Sequence, residues 1–204
     1  MIKTRQPALT LGFLSLILVG CAAKNPELTR EEWLDIHNQT YEEASSEEVI
    51  AAAEEVLRTA DPNDVTFTHR EDGFLSTRPF LYYFVLAATS GQDFYDLSVE
   101  ERDAGGVIAS LYMSRSASTL AGQPTGAGSG ASVTTIPGNA APVQSPASYF
   151  GFWKRVDYFL GLEDDWYTCD RIKEERESRE DLWGHTDNIC GIGFQDNLPM
   201  DYAE

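Results

Sequence analysis

The chain has 204 residues, enough for one hydrophobic core, and sets 33 Asp plus Glu against 15 Lys plus Arg for a formal charge of −18. A surface so acidic repels nucleic acid and anionic lipid headgroups, so neither is expected as a partner. Cations, basic proteins or plain solubility are what such a charge serves.

Lys3 and Arg5 precede an apolar run at positions 8–19, interrupted only by Thr10, Gly12 and Ser15. The run is too short to cross a bilayer as a permanent helix, and its flanks match a secretion leader. It ends in Leu18-Val19-Gly20-Cys21, which resembles the lipobox of bacterial lipoproteins. The resemblance implies transfer of a diacylglyceryl group to the Cys21 sulfur, cleavage before Cys21 and acylation of the new amine. Several fatty chains are what stable anchoring takes. An uncleaved anchor helix, or a secreted protein with a chance cysteine, is the alternative on the same residues. Residues 1–20 are thus the expected signal peptide and 21–28 a tether. Ala22, and not Asp, follows the cysteine. In enterobacterial-type sorting this implies the outer membrane, with the protein facing the periplasm. Cleavage takes two of the 15 basic residues and none of the 33 acidic ones, so the balance moves from −18 to −20 on the 184 residues that remain.

Thr29-Arg30-Glu31-Glu32 has a capping-box pattern, with Trp33, Ile36, His37 and Tyr41 following at helical spacing. A second box, Ser45-Ser46-Glu47-Glu48, opens a helix whose Val49, Ala52, Ala53, Val56, Leu57 and Ala60 paint one apolar stripe. Asp61-Pro62-Asn63-Asp64 stops it. The period then falls to two. Val65, Phe67 and His69 alternate with threonines, and Glu71-Asp72-Gly73 makes a turn. Residues 74–88 form a long strand with Phe80, Tyr82, Phe84 and Leu86 on one face; Pro79 marks a bend, a bulge or an edge. Ser90-Gly91-Gln92-Asp93 reads as a further turn, followed by strands at 94–100 and 107–113.

Residues 116–148 break this order, and 122–146 carry Gly, Ala, Ser, Thr and Pro with no charge at all. Such a stretch buries too little apolar surface to offset its ordering entropy, so a flexible insertion is expected. Beyond it Phe150, Trp153, Val156, Phe159 and Leu160 make a strongly aromatic helix from about Ser148 to Gly161. A charged run at 171–181 reads as a solvated helix. Cys169 and Cys190 are the other cysteines. In an oxidising compartment an isolated pair reads as a disulfide, worth about 3 kcal/mol through the unfolded state. A metal pair or a redox dithiol is the alternative, without C-x-x-C spacing to support it.

The expected fold is α+β: two N-terminal helices, a four-stranded antiparallel meander, the insertion, the aromatic helix and a disulfide-tied C-terminal tail. The order helix, antiparallel sheet, helix resembles helix-grip folds, which implies a cavity between sheet and long helix. No H-E-x-x-H, G-x-S-x-G or P-loop pattern occurs. A hydrolase would need two or more of His37, His69, Asp72, Asp157 and His185 in one cleft. Asp61, Asn63 and Asp64, or Asp164, Asp165 and Asp170, place hard oxygen ligands together, but without EF-hand spacing they read as turns.

The reading is a lipid-anchored, non-enzymatic envelope module with no metal or cofactor and an envelope protein as partner. The aromatic residues at 149–153 and 158–160 nearly encircle their helix. Some must face outward, which makes Trp153, Tyr158 and Phe159 the expected contact surface. A small apolar ligand held between sheet and helix is the alternative.

Overall fold

A computed structural model describes residues 28–84, 87–123, 132–136 and 138–196. The expected signal peptide, Cys21 and all but the last residue of the tether lie outside them.

The architecture is α+β, an antiparallel sheet with helices on one face. The elements in chain order are α1 (Arg30–His37), β1 (Asn38–Tyr41), α2 (Ser46–Ala60), β2 (Thr66–Arg70), β3 (Gly73–Phe84), β4 (Ala87–Glu101), β5 (Val107–Gln123), β6 (Ser132–Ile136), β7 (Ala141–Pro142), α3 (Pro146–Phe159), α4 (Cys169–Ser178) and α5 (Asp187–Cys190). The sheet runs β1-β5-β4-β3-β2, and β7 and β6 also pair with β5 farther along it.

Both capping boxes form: the Thr29 and Ser45 hydroxyls accept from the Glu32 and Glu48 amides, and each glutamate reaches back to its cap. The α2 stripe is buried as its spacing requires. Tyr41, expected on the first helix, belongs instead to β1, where it pairs with Val107. A strand of four residues, three of them polar, carries almost no periodic signal.

Strands β3, β4 and β5 alternate cleanly. Phe74, Leu97 and Leu111 make one cross-strand row of the inner face, and Ser76, Tyr95 and Met113 the next. Against these rows pack Val49, Ala53 and Val56 of α2 and Tyr149, Phe152 and Val156 of α3, in one contiguous cluster. Side chains fill the space between sheet and α3, where the helix-grip likeness implied a cavity. The Tyr149 hydroxyl accepts from the Met113 amide at 3.1 Å and pins the helix to β5. On the outer face Leu81, Tyr83, Tyr112 and Leu120 are exposed.

Three expectations need correction. First, residues 90–93 are not a turn. β4 passes straight through them, and the β3–β4 connection falls at 85–86, outside the described residues. Asp93 points inward between Arg78 and Arg115, and this pairing overrides the local turn preference. Gly91 serves a close approach: a Cβ there would meet the Ser116 carbonyl oxygen at 2.0 Å and Phe80 at 2.7 Å. Second, where a four-stranded meander was expected, the described residues form a seven-stranded sheet. Third, 116–148 is not one loose insertion. β5 continues to Gln123, β6 and β7 pair back onto it, and α3 begins at Pro146. Only 124–131 and 137 of that stretch lie outside the described residues. Pro79 fits its place, since β2 pairs with β3 only as far as Thr77 and leaves an open edge beyond.

α3 is packed on most sides: α1, α2, α4 and α5 contact it, with the sheet beneath. Gly151 faces Ile172 and Ile189 so closely that a Cβ would meet their terminal carbons at 2.6 and 2.5 Å. The Cys169–Cys190 disulfide ties the start of α4 to the end of α5.

Candidate functional site

Two open grooves of about 610 and 560 Å³ lie end to end beside α3, sharing Gln39, Lys154 and Asp157. The capping box fixes where α1 starts. β1 then sets Gln39 and Tyr41 against the exposed flank of α3, whose Lys154 and Asp157 form the ridge between the two openings. The first groove has an apolar wall of Ile36, Phe150, Trp153, Leu182 and Trp183, rimmed by Glu32, Asp35, Glu180 and Asp181. The second collects Glu42, Glu43, Glu48 and Glu163. Among the described residues Lys154 is the one cation lining either groove.

Electrostatics at the ridge are closed upon themselves. Asp157 accepts from the Tyr41 hydroxyl at 3.1 Å and has the Lys154 ammonium at 3.6 Å; Lys154 also binds Glu163. Burial pushes the Asp157 carboxyl above its ordinary value, and Lys154 only partly offsets this. Burial lowers the Lys154 ammonium, but Glu163 and Asp157 outweigh it and hold the pKa above the usual value. Burial first, and Asp157 second, raise the Tyr41 phenol. Along the rims the balance is open: among the described residues Asp35, Glu42, Glu43 and Glu180 have no ion-pair partner. The single lysine is already engaged. The arrangement leaves uncompensated negative charge beside aromatic surface.

No family model, curated protein or solved structure matches the chain.

The expected contact residues divide. Trp153 is only 6% exposed; it forms groove wall, with its indole N–H donating to the Ile36 carbonyl at 3.2 Å. Tyr158 and Phe159 are half-buried and turn toward Trp166, with ring centroids 5.6 and 5.7 Å away. The three do not form one outward aromatic face, because the C-terminal segment covers the side of α3 that the sequence left over.

The titratable residues are held apart. His37 is buried between the Trp33 and Tyr149 rings, its Nδ1 bonded to the Leu111 carbonyl at 2.7 Å. His69 pairs with Glu54, and Asp72 lies 3.7 Å from Arg70 at the β2–β3 turn. The His185 carbonyl accepts from Ser145 and Ser148 at the far end of α3. Asp61 binds Arg78 and the Asp64 amide, which are helix-stop roles. Among the described residues no three His, Cys, Asp or Glu side chains are grouped to hold a metal.

Sequence reading missed the most unusual feature of the interior. Arg78, Asp93 and Arg115 stand side by side on the inner face of β3, β4 and β5. Asp93 accepts from Arg115 at 2.6 and 2.9 Å and from Asn188 at 2.9 Å, while Arg78 binds Asp61 at 2.5 Å. Phe194 covers Arg78, 3.8 Å from guanidinium to ring centroid. The signal for this row was inward parity at 78, 93 and 115, which is visible only once 90–93 is read as strand.

Proposed function

We propose that this chain is a non-enzymatic accessory module of the bacterial envelope, anchored through lipid on Cys21 to the outer membrane and facing the periplasm. Its partner is a protein that lays a basic, partly apolar segment into the acidic grooves beside α3. The observation that carries the reading is the pairing of aromatic wall with unpartnered carboxylates: the wall offers an apolar anchor site, and Asp35, Glu42, Glu43 and Glu180 offer charge to Lys or Arg. The anchor fits this geometry. Leu28, on the edge of the first groove, is seven residues beyond Cys21, so the intervening chain reaches at most about 25 Å. The groove then stays near the membrane face, where a membrane-bound partner presents its segments.

A fluorescent peptide of alternating arginine and leucine, titrated at low salt, tests the groove. Binding is expected to weaken about tenfold in Asp35→Lys/Glu180→Lys and to hold in Glu100→Lys, which reverses an exposed charge on β4. Equal loss in both variants would reduce the effect to overall charge. Mass spectrometry of residue 21 tests the anchor separately: a bare thiol there removes the lipoprotein reading and leaves the groove standing.

A further inference from the structure

We infer that the Cys169–Cys190 disulfide is a site of thiol–disulfide exchange, open to reduction by a dithiol, and more than a staple. The inference is independent of the groove. Cys169 is the first residue of α4, the end of a helix that favours negative charge. Arg155 of α3 is wholly buried, yet its Nη2 lies 3.3 Å from the Cys169 sulfur and 3.6 Å from that of Cys190. Both cysteines are half-buried, so a reductant has access. A buried cation beside both sulfurs, nearer that of Cys169, stabilises a Cys169 thiolate, the leaving group of disulfide reduction, and the position of Cys169 in the first turn of α4 favours the same charge.

In the oxidised state the guanidinium is satisfied by oxygens: Nε donates to the Tyr167 carbonyl at 2.9 Å and Nη1 to the Ile189 carbonyl at 3.1 Å. Asp196 accepts from Arg155 Nη2 at 2.8 Å and from the Cys169 amide at 2.8 Å, so it occupies the position an anion would take. Its side chain is 34% exposed, whereas that of Arg155 is 0% exposed. The carboxylate has a route to water; the guanidinium does not. Burial draws the Arg155 pKa down to about 10 with Asp196 opposing, which leaves it cationic near neutrality. Reduction replaces two neutral sulfurs with a thiolate that competes for the same cation. The other charged groups at hand are Asp170 on α4, Asp187 at the start of α5, and Arg171, which stacks on Tyr167 at 3.7 Å.

The exchange balances as follows. A thiolate of the dithiol attacks the Cys190 sulfur, the S–S bond breaks, and Cys169 leaves with the electron pair as thiolate beside Arg155. The second thiol of the reductant then attacks the mixed disulfide and expels the Cys190 sulfur, which takes up the proton released. The dithiol ends as a cyclic disulfide, and two electrons have passed to the protein.

The reduced full chain, alkylated with iodoacetamide across pH and read by peptide mass for each cysteine, tests the assignment. Cys169 is expected to react with a midpoint about one pH unit or more below the ordinary thiol value of about 8.5, with Cys190 above it. Asp196→Asn, which keeps an acceptor and removes the competing charge, should lower the Cys169 midpoint further and speed reduction by dithiothreitol about threefold or more. Arg155→Lys should keep the low midpoint and Arg155→Met raise it; circular dichroism identifies any variant that fails to fold, in which case Asp196→Asn decides. A wild-type Cys169 that titrates at or above 8.5, or a midpoint unmoved by Asp196→Asn, overturns the inference.

Discussion

Asp93→Ala leaves two guanidinium groups flanking an empty place on the central strand. Asp93 is 0% exposed and accepts three hydrogen bonds, at 2.6, 2.9 and 2.9 Å, from Arg115 and Asn188. Removing one partner of a buried ion pair costs about 3–5 kcal/mol, because the other charge stays desolvated. Arg78 keeps Asp61 at 2.5 Å, and the Arg115 side chain is already 23% exposed, so part of the loss is recovered by hydration. The expected cost is therefore at the lower end, about 3 kcal/mol. With a urea dependence of about 2 kcal/mol per molar for a chain of this size, the unfolding midpoint falls by about 1.5 M. Replacing the pair together, Asp93→Leu/Arg115→Leu, should recover most of that loss, since Arg78 keeps the buried Asp61 and no buried charge is then left without a partner. A midpoint drop below about 0.5 M for Asp93→Ala would refute the account of the row as a closed charge network.

Two further perturbations follow from the interior. Burial holds the His37 imidazole below its ordinary pKa of 6.5, against the Leu111 carbonyl that favours its charged form. The unfolded chain therefore binds more protons than the folded one as pH falls below 6.5, and stability is lost there at up to about 1.4 kcal/mol per pH unit. His37→Gln should flatten the urea midpoint between pH 6.5 and 5, and an unchanged slope would exclude His37 as the source. At Gly151, valine should cost about 1–3 kcal/mol by driving a side chain into Ile172 and Ile189. Alanine should also lower the melting temperature despite its better helix propensity, and a rise would show that α4 and α5 yield at that point.

The helices were legible because their signals are local. Ser45 and Glu48 cap over three residues, and the α2 stripe needs only its own spacing. The disulfide was legible because Cys169 and Cys190 stand as an isolated pair in one short segment and offer a single pairing. Residues 90–93 were not, because a turn-rich tetrapeptide holds its strand through Arg78 and Arg115, 15 and 22 residues away from Asp93. β6 and β7 failed for a related reason: their small, uncharged residues become strand only when β5 offers an edge. The groove was invisible as a motif. Its carboxylates come from α1, the segment after β1, the first turn of α2, α3 and the turn after it, and the turn following α4, and only folding brings them to one flank of α3.

The order of elements along the chain also governs synthesis. β2 to β5 are complete by Gln123, but α3, which covers much of their apolar inner face, begins at Pro146. A chain emerging amino end first therefore holds Phe74, Tyr95, Leu97 and Leu111 with only α2 to cover them until α3 is complete at Phe159, some three dozen residues later. A fragment stopping before 146 has a sheet with half its cover missing and should aggregate or be degraded. The nascent polypeptide thus passes through a vulnerable interval in which a holding chaperone has something definite to grip.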